Sequence, residues 1–409
     1  MASTKTGLRN SQSLIKLRTL VVKVLGQVYT NKGTLEEAVN SVLMSGGGGK
    51  TFQEFDRSWI FEVCSGVLRY RGRIDHIIDT YSLKKKPTGA VRRHLQTGVF
   101  QLLAQDVVPA LAVSETVQAI RDGEGEQPSR FANALLRKVA DQQAQWRSWT
   151  VKPESPFEEQ LAWCSLPEWL FKKLRKERGS EWVYAFSLAC LDRPKTWYRT
   201  EKESFILENG YQGNEPAGFV QDISNQKLVE AASELLKKRF PSNPKILDLC
   251  SAPGGKSLGL AYDGFSVIAT DADATRLLKV QENRARLKLE EKISIEPIEA
   301  VTEGNRTFDL IWIDAPCSST GIIRRHPEIK WNRSEGDIEQ LLQKQHALIL
   351  WAKEHLTEKG VIIYSTCSVL KSENTIAVDD LNLFQTLEWD PQTGAQGDAI
   401  CASFLEKKN

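Results

Sequence analysis

From residue 245 onward the chain alternates short apolar runs with longer amphipathic stretches, and this alternation limits its possible folds more than any other feature. KILDLC (245–250), SVIAT (266–270), ISIEPI (293–298), LIWID (310–314) and VIIYST (361–366) read as buried strands. Helical patterns follow from about 255, from Asp271 through Leu289, and near 334–358. Strands alternating with helices of this length predict a parallel, doubly wound sheet with helices on both faces. In such sheets a ligand lies beyond the carboxyl ends of the strands. Cys250, Asp271, Glu299, Asp314 and Cys367 each sit at or just after a strand end. Five separate segments therefore deliver polar or sulfur groups to one crevice.

Each segment narrows the chemistry. In DLCSAPGGK, Pro253, Gly254 and Gly255 make a tight turn that lets a ligand approach the backbone and ends at a helix amino terminus. Asp271, at the end of the next strand, is where an acid can bind two ribose hydroxyls. Together they point to a nucleoside-containing cofactor. An NTPase is the sharpest competitor, because Gly255-Lys256-Ser257 resembles the end of a phosphate loop. That loop needs a glycine five residues before Gly255, where Cys250 stands, so the triphosphate cradle cannot form. A dinucleotide-binding dehydrogenase is excluded similarly, since no GxGxxG follows the first strand. IDAPCSSTG and YSTCSV each place a thiol immediately after a strand. One cysteine there is more often a small buried hydrophobe than a nucleophile. Two of them at strand ends of a nucleoside-binding sheet favour chemistry.

The first third of the chain has a different texture. Leu14, Leu17, Val21, Val24, Leu25 and Val28 recur at helical spacing, and Thr34 with Glu37 forms a capping-box pattern. Further helices are predicted near 55–69, 88–105, 114–121 and 130–146, giving an all-α bundle with no clustered nucleophile, base or ligand set. Ser165, Pro167 and Glu168 combine a capping box with an early proline, so a helix is expected to start there. Residues 193–226 are mixed, with one or two short strands. Residues 1–150 carry 21 Lys+Arg against 13 Asp+Glu, and the remainder 33 against 39. A basic domain joined to an acidic one suits a nucleic-acid docking module fused to a catalytic one. Seven scattered cysteines without a CxxC pair, and five histidines without ligand spacing, suggest neither a disulfide framework nor a metal site. No apolar run is long enough for a membrane span, and the first twenty residues contain no apolar stretch ending in a cleavage site. A cytoplasmic, monomeric enzyme without membrane or DNA partners is expected.

Four segments, ILDLCSAPGGKS, VIATDADATRLLKVQENRARL, FDLIWIDAPCSSTGIIRRHPEIKW and VIIYSTCSVLKSEN, resemble the RNA (cytosine-5)-methyltransferase family, in its bacterial small-subunit ribosomal RNA branch (RsmB/Sun-like). FEVCSGVLRYRGRIDHII and ANALLRKVA resemble that branch's NusB-like amino-terminal domain. The resemblance implies a multidomain chain. An all-α NusB-like RNA-docking domain would span 1–150, and a helical bridge with a shortened RNA-facing subdomain 151–225. An α/β Rossmann-like class I methyltransferase domain would span 226–409. It implies S-adenosyl-L-methionine as cofactor, held by Cys250, Ser251, Ala252, Pro253, Gly254, Gly255, Lys256, Asp271, Glu299 and Asp314. Cys367 would attack carbon 6 of a cytosine in RNA, in 16S ribosomal RNA by this branch. Cys317 would assist release, Asp314 would hold the nitrogen-3 edge, and Lys256 would stabilise nearby charge. Arg324, Arg325, His326 and Lys330 would grip the RNA backbone. The sequence departs from the family in offering Glu299 where an aspartate is usual after the third strand. It also departs in a short Arg199–Phe219 segment and a trimmed carboxyl end. The competing readings are an RNA-binding assembly factor with a vestigial methyltransferase fold and, more remotely, the NTPase.

Overall fold

A computed structural model describes residues 11–31, 33–45, 54–208, 215–376, 378–390 and 397–408. The chain divides into two compact units, residues 1–191 with 326–333, and residues 192–325 with 334–409. The bridge splits near residue 191, and a short segment from the middle of the α/β region is shared with the helical unit.

The helical unit contains α1 (Ser11–Thr30), α2 (Leu35–Ser45), α3 (Glu54–Thr80), α4 (Gly89–Ala104), α5 (Pro109–Glu124), α6 (Glu126–Asp141), α7 (Gln143–Arg147), α8 (Phe157–Cys164), α9 (Glu168–Arg178) and α10 (Ser180–Ala189). The apolar spacing of α1 does what it predicts: Leu17, Val21, Val24, Leu25 and Val28 are all buried, and Leu14 packs against them. The capping box also forms, Thr34 N–H donating to Glu37 Oε2 at 2.8 Å and Glu37 N–H to Thr34 Oγ1 at 3.2 Å. Helices α3 and α4 approach so closely that a Cβ at Gly66 would stand 2.0 Å from the Phe100 ring, so only glycine fits there. A helix does start at the Ser165–Glu168 signal, but without the expected capping box. Helix α9 begins at Glu168 with no side-chain cap. Ser165 adopts a left-handed φ of 51° and joins α3 instead. Its hydroxyl donates to Arg69 O and accepts from Gly72 N, each at 2.9 Å. A tertiary donor and acceptor outcompete the local cap.

The second unit opens with an antiparallel sheet of order β2-β1-β3, made from β1 (Trp197–Thr200), β2 (Ser204–Ile206) and β3 (Gly218–Val220). Part of the short segment between Arg199 and Phe219 (209–214) lies outside the described residues. Then come α11 (Ile223–Arg239), β4 (Ile246–Asp248), α12 (Gly255–Tyr262), β5 (Val267–Ala269), α13 (Ala274–Arg286), β6 (Ile293–Ile295), α14 (Ile298–Thr302) and β7 (Phe308–Asp314). A 3₁₀ turn (Thr320–Ile322) follows, and the next helix in the chain, the short α15 (Ile329–Asn332), belongs to the helical unit. The chain ends with α16 (Glu335–Glu354), β8 (Leu356–Thr366), α17 (Lys371–Asn374), β9 (Leu381–Trp389) and β10 (Ile400–Lys407). The seven strands run in the order β6-β5-β4-β7-β8-β10-β9. The first five are parallel, as the alternation predicts, but β10 and β9 join antiparallel, so the sheet is mixed. Side chains alternate between its faces. Leu310, Trp312, Val361 and Ile363 pack on one side with Leu228 and Leu236 of α11. Ile311, Ile313, Ile362 and Tyr364 pack on the other with Ile349 and Ala352 of α16.

Candidate active site

Register does the first work of assembly. Asp248 pairs with Ala269 of β5 and Trp312 of β7, and Asp314 pairs with Ser365 of β8. The carboxyl ends of four adjacent strands are therefore level, and the loops beyond them share one crevice.

The glycine loop leaves β4 through Ser251, whose N–H donates to Thr270 O at 2.9 Å. Gly254 has φ 105°, and a Cβ there would press to 3.2 Å on Val280, so the turn into α12 requires glycine. Behind the loop, Ser257 Oγ donates to Asp248 Oδ2 at 2.6 Å. Burial pushes the Asp248 carboxyl up to about 6. Asp271 Oδ2 accepts from Ala252 N at 3.2 Å and its Oδ1 from Asp273 N at 3.0 Å, which fixes the carboxylate at the end of β5. Asp248 Oδ1, Thr270 Oγ1 and Gln221 Oε1 are buried without a partner among the described residues. Buried acceptors of this kind call for donors from outside the protein. The hydroxyls and ammonium of a nucleoside bearing an amino acid provide them, so the residues present fit S-adenosylmethionine. Cys250 beside them stays a thiol, because burial and the carboxylates of Asp248 and Asp271 push its titration up. The third strand's acid differs from expectation. Glu299 is exposed on the first turn of α14, whereas Glu296 directly follows β6 and is half-buried, paired with Arg306 at 2.6 Å. Glu299 lies beyond the strand end because β6 stops at Ile295.

The catalytic half is built on β7 and β8. Asp314 accepts from Lys256 Nζ at 2.5 Å and from Ser365 Oγ at 3.0 Å, while Ser365 in turn accepts from Trp312 Nε1 at 3.1 Å. Burial opposes a charge on Lys256, but Asp314 outweighs it, so the ammonium is held charged. Three residues past Asp314 lies Cys317, and one past Thr366 lies Cys367, with the two sulfurs 3.5 Å apart. The pair is electrically unequal. The hydrogen bond from Cys317, helped by Ser319 and Lys256, lowers the Cys367 thiol against burial and Asp314. Cys317 is pushed well up by that same bond, by burial, and by the charges of Cys367 and Glu373. The two thiols are thus unequal, Cys367 giving up its proton more readily than Cys317. Sequence reasoning missed Glu373, Ser318, Ser365 and Ser368, which support the two thiol loops; the serines offered only their position beside the cysteines as a signal.

The four cationic residues expected to grip RNA divide. Arg324 is buried and donates to Gly397 O and Asp398, and Arg325 donates to Asp398 Oδ2 at 2.9 Å and Asp222 Oδ2 at 3.2 Å. Lys330 is 1% exposed within the helical unit, its Nζ donating at 2.8 Å to both Arg69 O and Ser165 O. Arg324 and Lys330 are therefore corrected to internal donors, since buried cations have no face to offer a phosphate. Arg325 and His326 remain half-exposed.

A mixed seven-stranded sheet with a glycine loop after β4 and an acid after β5 defines a Rossmann-like methyltransferase, preceded here by a helical unit. The chain matches the family described as 16S rRNA methyltransferase RsmB/F over residues 235–393 and the NusB family over 15–141. It is 32% identical to the ribosomal RNA small subunit methyltransferase B of Cronobacter sakazakii, with 88% of each chain covered. With the protein of that name from Yersinia pestis it shares 31% identity at the same coverage. The crystal structure of PH0851 aligns over 99% of this chain and 100% of that one, with a TM-score of 0.66 at 18% identity, a likeness of fold. The chain belongs to the RsmB/F methyltransferase family and is a transferase that uses S-adenosylmethionine.

Proposed function

We propose that this enzyme methylates carbon 5 of a cytosine in small-subunit ribosomal RNA through a covalent bond to Cys367. The observation that carries this reading is the unequal thiol pair, 3.5 Å apart, beside the Lys256–Asp314 ion pair. Carbon 5 of cytosine is a weak nucleophile, and attack elsewhere on the ring is needed to make it electron-rich. Cys367, the lower of the two thiols, adds its sulfur to carbon 6, and the π pair becomes available at carbon 5. Asp314 accepts a hydrogen bond from the amine on the base's nitrogen-3 edge and holds the ring in place, its own position fixed by Lys256 and Ser365. S-adenosylmethionine supplies the methyl group. Loss of the carbon 5 proton and cleavage of the sulfur–carbon 6 bond then restore the aromatic ring, with Cys317 assisting this release. The target base must leave its stack to reach sulfurs recessed at strand ends, so a cytosine in a loop or bulge is the expected substrate.

In the same reading residues 1–150 dock the RNA and the protein works as a cytoplasmic monomer. The charge balance of that region supports docking. So does a cavity of about 730 Å³ in the helical unit, lined by Lys84, Lys85, Lys86, Lys138 and Phe131. Lysines around an aromatic ring suit a strand that presents phosphates and bases. Arg325 and His326 are the remaining candidates for RNA contact on the loop after Cys317. The decisive experiment is bisulfite sequencing of small-subunit ribosomal RNA from a deletion strain and from the same strain complemented with this chain. A single protected cytosine that disappears on deletion and returns on complementation is expected; identical protection in both strains would exclude the reading.

A further inference from the structure

The mechanism leaves a buried acid beside the two thiol loops without a part. Glu373, on α17, is 1% exposed, yet neither the cofactor loop nor the ion pair at Asp314 uses it. Its carboxylate accepts from four donors. Ser318 N–H donates to Oε1 at 2.8 Å and Gln345 Nε2 donates to the same oxygen at 3.1 Å. Ser368 Oγ donates to Oε2 at 2.5 Å, and the Ser318 hydroxyl donates to that oxygen as well. The two N–H groups on Oε1 can only donate, so that oxygen serves as their shared acceptor.

The donors' positions are the telling part. Ser318 directly follows Cys317, and Ser368 directly follows Cys367. One buried carboxylate therefore grips both thiol loops at their first residue past the sulfur. Around it, Thr320 Oγ1 and Ser368 Oγ lie 3.1 Å apart and Val369 N donates to Thr320 Oγ1 at 3.1 Å, while Gln345 also donates to Pro316 O at 2.9 Å. A fully partnered buried network of this kind holds a single geometry. The geometry it holds is the 3.5 Å sulfur contact.

The charge acts as well as the hydrogen bonds. The charged groups around the pair are Glu373 on the Cys317 side, and Asp314 and Lys256 on the Cys367 side. Asp314 and Lys256 neutralise one another at 2.5 Å. Among these described residues Glu373 has no cation opposite it, so its field falls unopposed on Cys317 and penalises a second negative charge there.

We propose that Glu373 is a positioning residue that assigns the proton within the thiol pair, clamping both loops and keeping Cys317 protonated so that Cys367 is the thiolate. This rests on the reading that Cys367 attacks the base, and it explains how two nearly identical strand-end thiols acquire different roles.

The test uses the full chain without RNA and without cofactor, so that it reads proton placement and not methylation. Iodoacetamide alkylation is followed across a pH series, with Cys317 and Cys367 resolved by peptide mass mapping. The natural protein should alkylate at Cys367 at lower pH than at Cys317. In Glu373→Gln the preference of Cys367 over Cys317 should fall about tenfold, equivalent to about one unit of relative pKa. In Glu373→Asp, which retains the charge, most of the preference should return. An unchanged preference in Glu373→Gln overturns the proposal, and so does an Asp variant as unselective as Gln, which would leave only a scaffold role. If Glu373→Gln fails to melt as a folded protein, Ser368→Ala decides instead. It removes one donor and keeps the charge, so selectivity should persist; its loss counts against the proposal. Adduct formation with RNA is scored separately in Cys317→Ser. Absence of an adduct there, with Glu373-dependent alkylation intact, would mark failure of the covalent reading alone.

Discussion

The two units bury charge to different ends, and two lysines display the difference. Lys330, in the helical unit, faces two backbone carbonyls and no carboxylate, and burial drives its titration down to about 7. Lys256, in the α/β unit, is half-buried, faces Asp314 and is held charged. The same side chain fastens a fold in one place and organises a reactive crevice in the other. What a buried cation faces decides between these outcomes. A carbonyl pair is satisfied by a neutral amine, whereas a carboxylate keeps the proton on the nitrogen. Arg18 in the helical unit pairs with Glu115 at 2.7 Å. Buried polar atoms without a partner among the described residues occur in both units, Glu115 Oε1 in the helical one and Asp248 Oδ1 and Thr270 Oγ1 at strand ends of the other.

The comparison breaks first at the thiols, where the largest effect is expected. Cys367→Ser should abolish both methylation and adduct, because a hydroxyl near neutral pH supplies almost no anion to attack carbon 6. Cys317→Ser should attack and methylate but stall with RNA bound through Cys367. A denaturing gel with labelled RNA should then show a slow-migrating adduct for the second variant only. An adduct in the first variant and none in the second would exchange the roles, and two fully active variants would end the covalent mechanism.

Next is the cofactor side. Asp271→Ala should weaken S-adenosylmethionine binding by about 1–3 kcal/mol through lost charged hydrogen bonds, read by calorimetry without magnesium. Equal affinity in the variant would remove Asp271 from the binding set.

A comparable but smaller effect should appear in the helical unit's stability. Lys330 binds its proton more weakly folded than unfolded, so the unfolded chain holds more protons between about pH 7 and its ordinary range. Stability conferred through this group therefore rises with pH, by about 1–2 kcal/mol between roughly pH 7 and 8.5. Urea unfolding of the natural protein at those two pH values should show the gain, and Lys330→Met should lose it. A pH-independent midpoint in the natural protein would contradict the contrast with Lys256.

The smallest effect concerns docking. Lys84→Glu with Lys85→Glu should lower RNA affinity and make its salt dependence shallower by about one to two phosphate equivalents. S-adenosylmethionine binding should stay constant. An unaltered salt slope would take the basic cavity out of the RNA path.

Much of this was legible in the sequence because it is written locally. The apolar period of α1, the Thr34–Glu37 box, the strand runs and the glycine loop depend on neighbours within a few residues. So does the delivery of Cys317 and Cys367 to strand ends. The failures were equally physical. Ser165 carried a good capping signal, but α3 offered it a donor and an acceptor at once. Arg324 and Lys330 looked like surface cations because sequence shows charge and not burial. The antiparallel placement of β9 and β10 needed partners distant in the chain.

The sequence by itself determined the class of fold, a nucleoside-containing cofactor and the presence of two strand-end thiols, since each rests on residue type at fixed short spacing. The tertiary structure alone decided how those thiols differ. Cys317 and Cys367 stand fifty positions apart in sequence and 3.5 Å apart in space. What separates their protons is first the hydrogen bond between them, then a carboxylate on α17 and a lysine on α12, all brought together only when β7 and β8 pair in register. Electrostatic roles depend on distance through the folded protein, and that distance is not a property of the sequence's order.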